Sequence, residues 1–154
     1  MFLSKKTKYA LMALQHLAEQ PADQPVLIAD LAAHQNIPKK FLEYILLTLR
    51  KGGMLQSRVG KGGGYTLALP PAEIRIGEVL RILEGDLAPV HCLSSARLSS
   101  CTECHDEQSC GIRLVMIDVH LALTTTLDSL TLADMVERSR AEQAKQQGIV
   151  DFSI

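Results

Sequence analysis

All four cysteines of this 154-residue chain lie between Cys92 and Cys110, spaced C-x8-C-x2-C-x5-C. Thiolates are soft donors, so Cys92, Cys101, Cys104 and Cys110 are candidate ligands for one metal site. The C-x2-C pair lets Cys101 and Cys104 reach a single ion from one tight turn. Spacing alone leaves two cofactors open, an iron–sulfur cluster (2Fe–2S or 4Fe–4S) and zinc. Disulfides or free thiols are the plainer alternatives. No secretory signal precedes the first helix, which predicts a reducing, cytoplasmic setting that disfavours stable disulfides. The stretch is poor in large apolar residues, so burial cannot order it. A ligand must do so, or the loop stays mobile.

A basic head accompanies this loop. Residues 1–65 carry nine Lys and Arg against four Asp and Glu, a net of +5, while residues 66–154 carry seven against thirteen, a net of −6. A cationic amino-terminal part on an acidic remainder fits a polyanion-binding face, as for double-stranded DNA, attached to a body that does not bind it. Charges interrupt every apolar run before it could span a bilayer, so no membrane partner is expected. No nucleophile–base pair stands out. The Walker phosphate-loop pattern is absent, and no helix begins at the glycines of 60–64. An enzyme is therefore not expected.

The elements that must carry these residues follow from periodicity. Ser4 suits an N-cap, and Ala10, Leu14 and Leu17 repeat at helical spacing up to Pro21. Lys5, Lys6 and Lys8 crowd the first turns, where the helix dipole disfavours cations. A phosphate backbone nearby would explain their tolerance. A short helix over Ile28–His34, with Leu27, Ile28 and Leu31 facing inward, ends at Asn36, a residue suited to a left-handed cap. Pro38 then starts a second helix, whose stripe Leu42, Ile45, Leu46 and Leu49 runs to Lys51. Two helices across a tight turn form a helix-turn-helix, whose second helix enters the major groove by its start. Lys39, Lys40, Glu43 and Tyr44 lie on the face opposite the stripe. The lysines can reach phosphates or guanine edges, and Glu43 can accept from a cytosine amino group.

Leu55–Val59 and Tyr65–Leu69 read as two strands joined by a glycine-rich tip flanked by Arg58 and Lys61. Such a tip can lie along a phosphate backbone or in a minor groove. Ile76, Val79, Leu80 and Leu83 mark a further helix ended by Gly85. After the cysteines, Ile112, Val115, Met116, Val119 and Leu123 form one helical stripe, and Leu114, Ile117 and Leu121 another. A helix apolar on both sides needs two partners, and the second is most simply the same helix of another protomer. Thr131 suits the cap of a last short helix through Leu132, Met135 and Val136, with a frayed polar tail beyond.

These stretches together resemble the IscR/NsrR/RirA family of bacterial winged-helix regulators. LSKKTKYALMAL, NIPKKFLEYILLTLRKGGML, GKGGGYTLALP, IRIGEVLRILEG, the cysteine loop and LTLADMV match in order and spacing over nearly all of residues 1–137. The resemblance implies a homodimer on a near-palindromic operator, with an iron–sulfur cluster in the loop that senses redox state, nitric oxide or iron supply. It implies three cysteine ligands, matching Cys92, Cys104 and Cys110, although Cys92, Cys101 and Cys110 could also serve. The family's fourth ligand is a histidine where this chain has Arg113, or an acidic group where it has Lys8, so Cys101 or an outside molecule takes that place. His91 and His105 each adjoin a cysteine and are poorer candidates. The arginine that family members commonly carry in the wing is replaced by Val59, which leaves Arg58 or Lys61 as substitutes. The family's aromatic near the start of the recognition helix is Phe41.

The expected architecture is mainly α with a small β wing: a winged helix-turn-helix over residues 1–85, a cluster-binding loop over 86–110, a dimerisation helix and short terminal helix over 111–137, and a polar tail over 138–154. The expected activity is that of a DNA-binding transcriptional regulator, most simply a repressor controlled by the cluster. The competing expectation is a winged-helix regulator with a structural zinc or no metal, governed by a partner protein or small molecule. The expected DNA contacts are Lys39, Lys40, Phe41, Glu43, Arg58, Lys61 and Tyr65.

Overall fold

A computed structural model describes residues 3–95 and 101–151, with side chains described through Gly148. The order is α1 (Lys5–Glu19), α2 (Ile28–Gln35), α3 (Lys39–Lys51), β1 (Leu55–Arg58), β2 (Gly64–Leu67), α4 (Ile76–Glu84), a 3-10 turn at His91–Leu93, α5 (Gly111–Ser129) and α6 (Leu132–Asp151). This is the expected mainly helical fold with a two-stranded wing. No helix among the described residues is long and apolar enough to cross a membrane.

The local signals hold. Ser4 caps α1 by accepting from the Thr7 N–H, and Asn36 ends α2 in the left-handed region at φ 52. Pro38 sits one place earlier than expected, at the N-cap of α3 rather than its first helical position. Leu42, Ile45, Leu46 and Leu49 of α3 are fully buried, and with Ala10, Ala13, Leu14 and Leu31 they make one core. Burying a Leu or Ile side chain contributes roughly 1.5–3 kcal/mol, so this stripe anchors α3 far more firmly than its caps do. Leu27, expected inward, is instead 52% exposed. It is the N-cap of α2 rather than part of its buried face.

The wing is a tight antiparallel ribbon pairing Leu55 with Leu67 and Arg58 with Gly64. Val26 adds to the outer edge of β2 through two backbone hydrogen bonds with Tyr65, at 3.0 and 2.9 Å. That close approach explains Gly64: a Cβ there would stand 2.4 Å from the Val26 carbonyl oxygen, at a φ of 141 that other residues rarely adopt.

One helix differs in extent from the expectation. α6 does not stop near Val136 but runs to Asp151. Its stretch ERSRAEQAKQQ is rich in strong helix formers and holds no Gly or Pro, so it continues without an apolar stripe to announce it. The start of α6 is fixed as expected. Thr131 and Asp134 form a reciprocal capping box, with the Thr131 N–H donating to Oδ2 at 2.8 Å and the Asp134 N–H to the Thr131 hydroxyl at 3.1 Å. Leu132 is fully buried in the amino-terminal core, so the chain leaves as α5 and returns as α6.

Candidate DNA-reading face and cysteine loop

Burial of the α3 stripe turns the opposite side outward. Lys39, Lys40, Glu43 and Tyr44 are exposed there, close to the helix start. The first turn holds no acidic residue. At the other end the Arg50 guanidinium donates to the Ser57 hydroxyl at 2.8 Å, tying α3 to the wing. Arg58 and Lys61 are exposed on the wing, and Val59 between them is 95% exposed.

Two of the expected contacts, Phe41 and Tyr65, are only partly exposed. Phe41 is half-buried, its ring edge-on to Tyr9 with centroids 5.8 Å apart. Tyr65, on β2 just after the glycine-rich tip, is half-buried against the core. Both rings pack partly against the body, and the fully exposed members of the set are Lys39, Lys40, Glu43, Arg58 and Lys61, with Tyr44 beside them. Aromatic side chains carry large apolar area, and a half-open core draws them in before a solvated surface does.

The lysines of α1 divide as well. Lys5 and Lys8 are exposed, but the Lys6 ammonium donates to the Leu83 carbonyl. That carbonyl belongs to the last turn of α4, where unpaired carbonyls favour a cation. Lys6 thus has an intramolecular reason for its position. Beside it the Glu84 carboxylate accepts from the Ser4 N–H at 3.1 Å and from the Ser4 and Thr7 hydroxyls. The Ser4 and then the Thr7 hydroxyl hold the Glu84 pKa below its ordinary value.

Between α4 and the cysteines, one carboxylate organises the chain. Asp86 accepts from the Ala88 N–H at 2.9 Å, the Ser94 hydroxyl at 2.8 Å and the Ser95 N–H at 2.6 Å. These donors, the Ser94 hydroxyl foremost, lower its pKa to about 2. Cys92 lies on the 3-10 turn that this carboxylate braces, and that turn packs against α5. Past residues 96–100, which lie outside the described residues, the Cys101 N–H donates to Glu107 at 2.9 Å. Asp106 caps its own turn by accepting from the Gln108 N–H at 3.0 Å and the Ser109 hydroxyl at 2.7 Å. Carboxylate-centred turns therefore give the loop a shape that burial could not supply.

None of the four cysteines is in a disulfide, and all are half-buried. The Cys104 and Cys110 sulfurs stand 3.5 Å apart. Hydrogen bonding with Cys110, and next with Cys101, pushes the Cys104 thiol up to about 12. Cys110 is the N-cap of α5 and makes no capping bond of ordinary geometry. The Arg113 N–H nevertheless faces its sulfur and, ahead of Cys104, pulls its pKa down. Sulfurs that share protons in this way suit a cation that would replace those protons. Ligands about 2.3 Å from a tetrahedral ion lie about 3.8 Å from one another, so the Cys104–Cys110 pair needs to open by only a few tenths of an ångström. Among the described residues no group of three or more His, Cys, Asp or Glu is already arranged around a common centre. The donor chemistry thus fits a thiophilic metal or an iron–sulfur cluster, and one pair of sulfurs already stands close together.

Sequence reasoning missed the joint between the two halves. The Arg81 guanidinium of α4 makes a bidentate pair with Asp128 of α5, both contacts at 2.7 Å. Only the fold brings these residues together, and no spacing rule could have paired them.

Comparison with known proteins agrees with this geometry. The family model Rrf2, described as an iron-dependent transcriptional regulator, matches residues 3–138. An rrf2-like HTH-type transcriptional regulator of Rhodobacter capsulatus is 42% identical over 137 residues, which are 87% of this chain and 91% of that protein. The solved structure of CymR, the global cysteine regulator of Bacillus subtilis, aligns with a TM-score of 0.73 at 28% identity, over 90% of this chain and 98% of that one. IscR of T. potens aligns with a TM-score of 0.71 at 29% identity, over 93% and 91% respectively.

Proposed function

The chain belongs to the Rrf2 family of DNA-binding transcriptional regulators, and from that membership we propose a homodimeric repressor whose grip on its operator is set by an iron–sulfur cluster in the Cys92–Cys110 loop. The observation that carries the proposal is the Cys104–Cys110 sulfur pair at the very start of α5, a helix with no buried residue of its own. Ile112, Val115 and Leu121 of that helix are 68%, 59% and 63% exposed. Apolar surface of this extent on one helix fits the same helix of a second protomer.

In this reading Cys92, Cys104 and Cys110 hold the cluster, with Cys101 as the fourth donor of the loop. When bound, the cluster supplies an inorganic centre that reacts with oxidants or nitric oxide. The rest belongs to the chain's own residues. Cys110 stands at the N-cap position of α5, so whatever holds its sulfur also sets the direction of the dimer helix. Arg81 and Asp128 pass that direction to α4, and Glu84 at the end of α4 holds the start of α1. Lys39, Lys40, Glu43 and Tyr44 of α3 face the major groove, with Arg58 and Lys61 of the wing on the flanking backbone. A dimer must match half-sites about 34 Å apart, so a small rotation between protomers costs operator affinity. Linkage requires that the cluster favour one of the two geometries.

The test is purification without air. A brown protein absorbing near roughly 400 nm, with iron and acid-labile sulfide in equal amounts and operator retention that changes when the cluster is removed, supports the proposal. A colourless protein holding zinc favours a structural metal with control by a partner. A chain that takes up no iron even on reconstitution sinks the cluster reading and leaves a DNA-binding regulator. Sedimentation as a monomer at micromolar concentration removes the dimer.

A further inference from the structure

We infer that the metal-free loop is a peroxide-reactive dithiol, in which Cys110 is the sulfur oxidised first and Cys104 the resolving one, so that oxidation closes a Cys104–Cys110 disulfide and blocks cluster loading. The inference rests on the loop being the sensor proposed above, and it concerns a second, covalent state of the same sulfurs. Three observations carry it. The two sulfurs are already in contact at 3.5 Å. A disulfide needs them about 1.5 Å closer, and the chain between them is largely exposed, so no core must be repacked for that closure. The site is also built asymmetrically. Cys110 is the N-cap of α5, where helix N–H groups face an anion. The Arg113 side chain beside it has a buried Nε without a hydrogen-bond partner. Cys104, by contrast, lies mid-loop in contact with both neighbouring thiols. A cationic side chain with spare donor capacity, next to a sulfur at a helix start, suits the transient negative charge of a peroxide leaving group.

The chemistry balances with hydrogen peroxide as the oxidant. The Cys110 sulfur attacks one peroxide oxygen and the O–O bond breaks. The departing hydroxide takes the Cys110 proton and leaves as water, with Cys110 as the sulfenic acid. The Cys104 sulfur then attacks the Cys110 sulfur. The S–S bond forms, the S–O bond breaks, and the hydroxide leaves as a second water with the Cys104 proton. Two thiols lose two electrons in total, and one peroxide becomes two waters. Cys101 is held at its backbone by Glu107 and remains a thiol. Because ligation and the bridge need the same two sulfurs, each state excludes the other.

The experiment uses the full-length, metal-free protein reduced under argon, treated with one equivalent of hydrogen peroxide, alkylated and digested with a Glu-specific protease. Cleavage after Glu103 and Glu107 separates Cys101, Cys104 and Cys110 onto different fragments. The expected result is the loss of two of the four alkylatable thiols, a loss of 2 Da from the intact chain, and Cys104 and Cys110 fragments joined until dithiothreitol is added. The C101S variant should still lose 2 Da, while C104S and C110S should not, and C104S should instead stop at a trapped sulfenic acid. Oxidised protein should take up no iron and sulfide until it is reduced. A Cys101–Cys104 bridge, a sulfinic acid on any cysteine in place of the bridge, or four unreacted thiols overturns the inference. The mass, alkylation and fragment readouts involve no metal, so the bridge can be refuted while a brown cluster protein stands, and it can form in a chain that never takes iron.

Discussion

Gly77→Ala is a sharp probe of the joint between α4 and α5. Gly77 lies in the first turn of α4, and a Cβ built there would stand 2.0 Å from Asp128 Oδ1 and 3.1 Å from Arg81 Nη1. An ordinary contact to carbon is about 3.5 Å, so Asp128 has to leave and its bidentate pair with Arg81 is lost. Two effects then oppose one another. Replacing Gly by Ala in a helix stabilises by up to about 1 kcal/mol. The pair is 41% and 46% exposed at its two side chains, and an ion pair that open to solvent contributes only about 0.2–1 kcal/mol. In the wild-type background the substitution should be near neutral, or destabilising if α5 must also move. In an Asp128→Ala background the clash is gone, and the same substitution should stabilise by its full helical preference. The double-mutant coupling therefore equals the worth of the lost pair, up to about 1 kcal/mol, or up to about 2–4 °C in Tm for a chain of this size. Urea denaturation of the four proteins at one fixed protomer concentration measures it. Additivity within about 0.3 kcal/mol would show that Gly77, Arg81 and Asp128 do not form one unit, and the proposed route from α5 to α4 would lose its middle link.

Two further outcomes follow from the geometry. Leu132→Ala removes a fully buried side chain that pins α6 to the amino-terminal core; a loss of about 2–5 kcal/mol is expected, and a midpoint shift below about 1 kcal/mol would mean that α6 is not part of that core. Asp86, whose pKa is lowered to about 2, stabilises the loop fully above the unfolded value of about 4, and that contribution disappears as pH falls through about 2. Asp86→Asn should therefore lower the midpoint at pH 6 but not below about pH 2, and a carboxyl titration by carbon NMR with an ordinary midpoint would refute the turn described here.

Much of the fold was legible because its signals are local. The Leu42, Ile45, Leu46 and Leu49 stripe, the Ser4 and Thr131 caps, the left-handed Asn36 and the glycine-rich wing each act within a few residues, where backbone geometry alone decides the outcome. The four cysteines were likewise conspicuous by type and spacing. The full length of α6 was not legible, since a helix without an apolar face leaves only propensity to read. Nor were the positions of Phe41 and Tyr65. Both rings sit on elements that were placed correctly, but which way each ring turns depends on what stands across from it.

The chain's own order of residues thus determined which segments become helices or strands, which faces are apolar and which loop carries sulfur. The tertiary structure alone decided that Ser4 meets Glu84 across 80 residues, that Arg81 meets Asp128 across 47, and that Cys104 rather than Cys101 touches Cys110 at the start of α5. Local patterning sets the torsions of a few consecutive residues. The pairing of distant side chains depends on how whole elements come to rest against one another, and that follows from the shape of the common core, to which every element contributes and which no single stretch encodes.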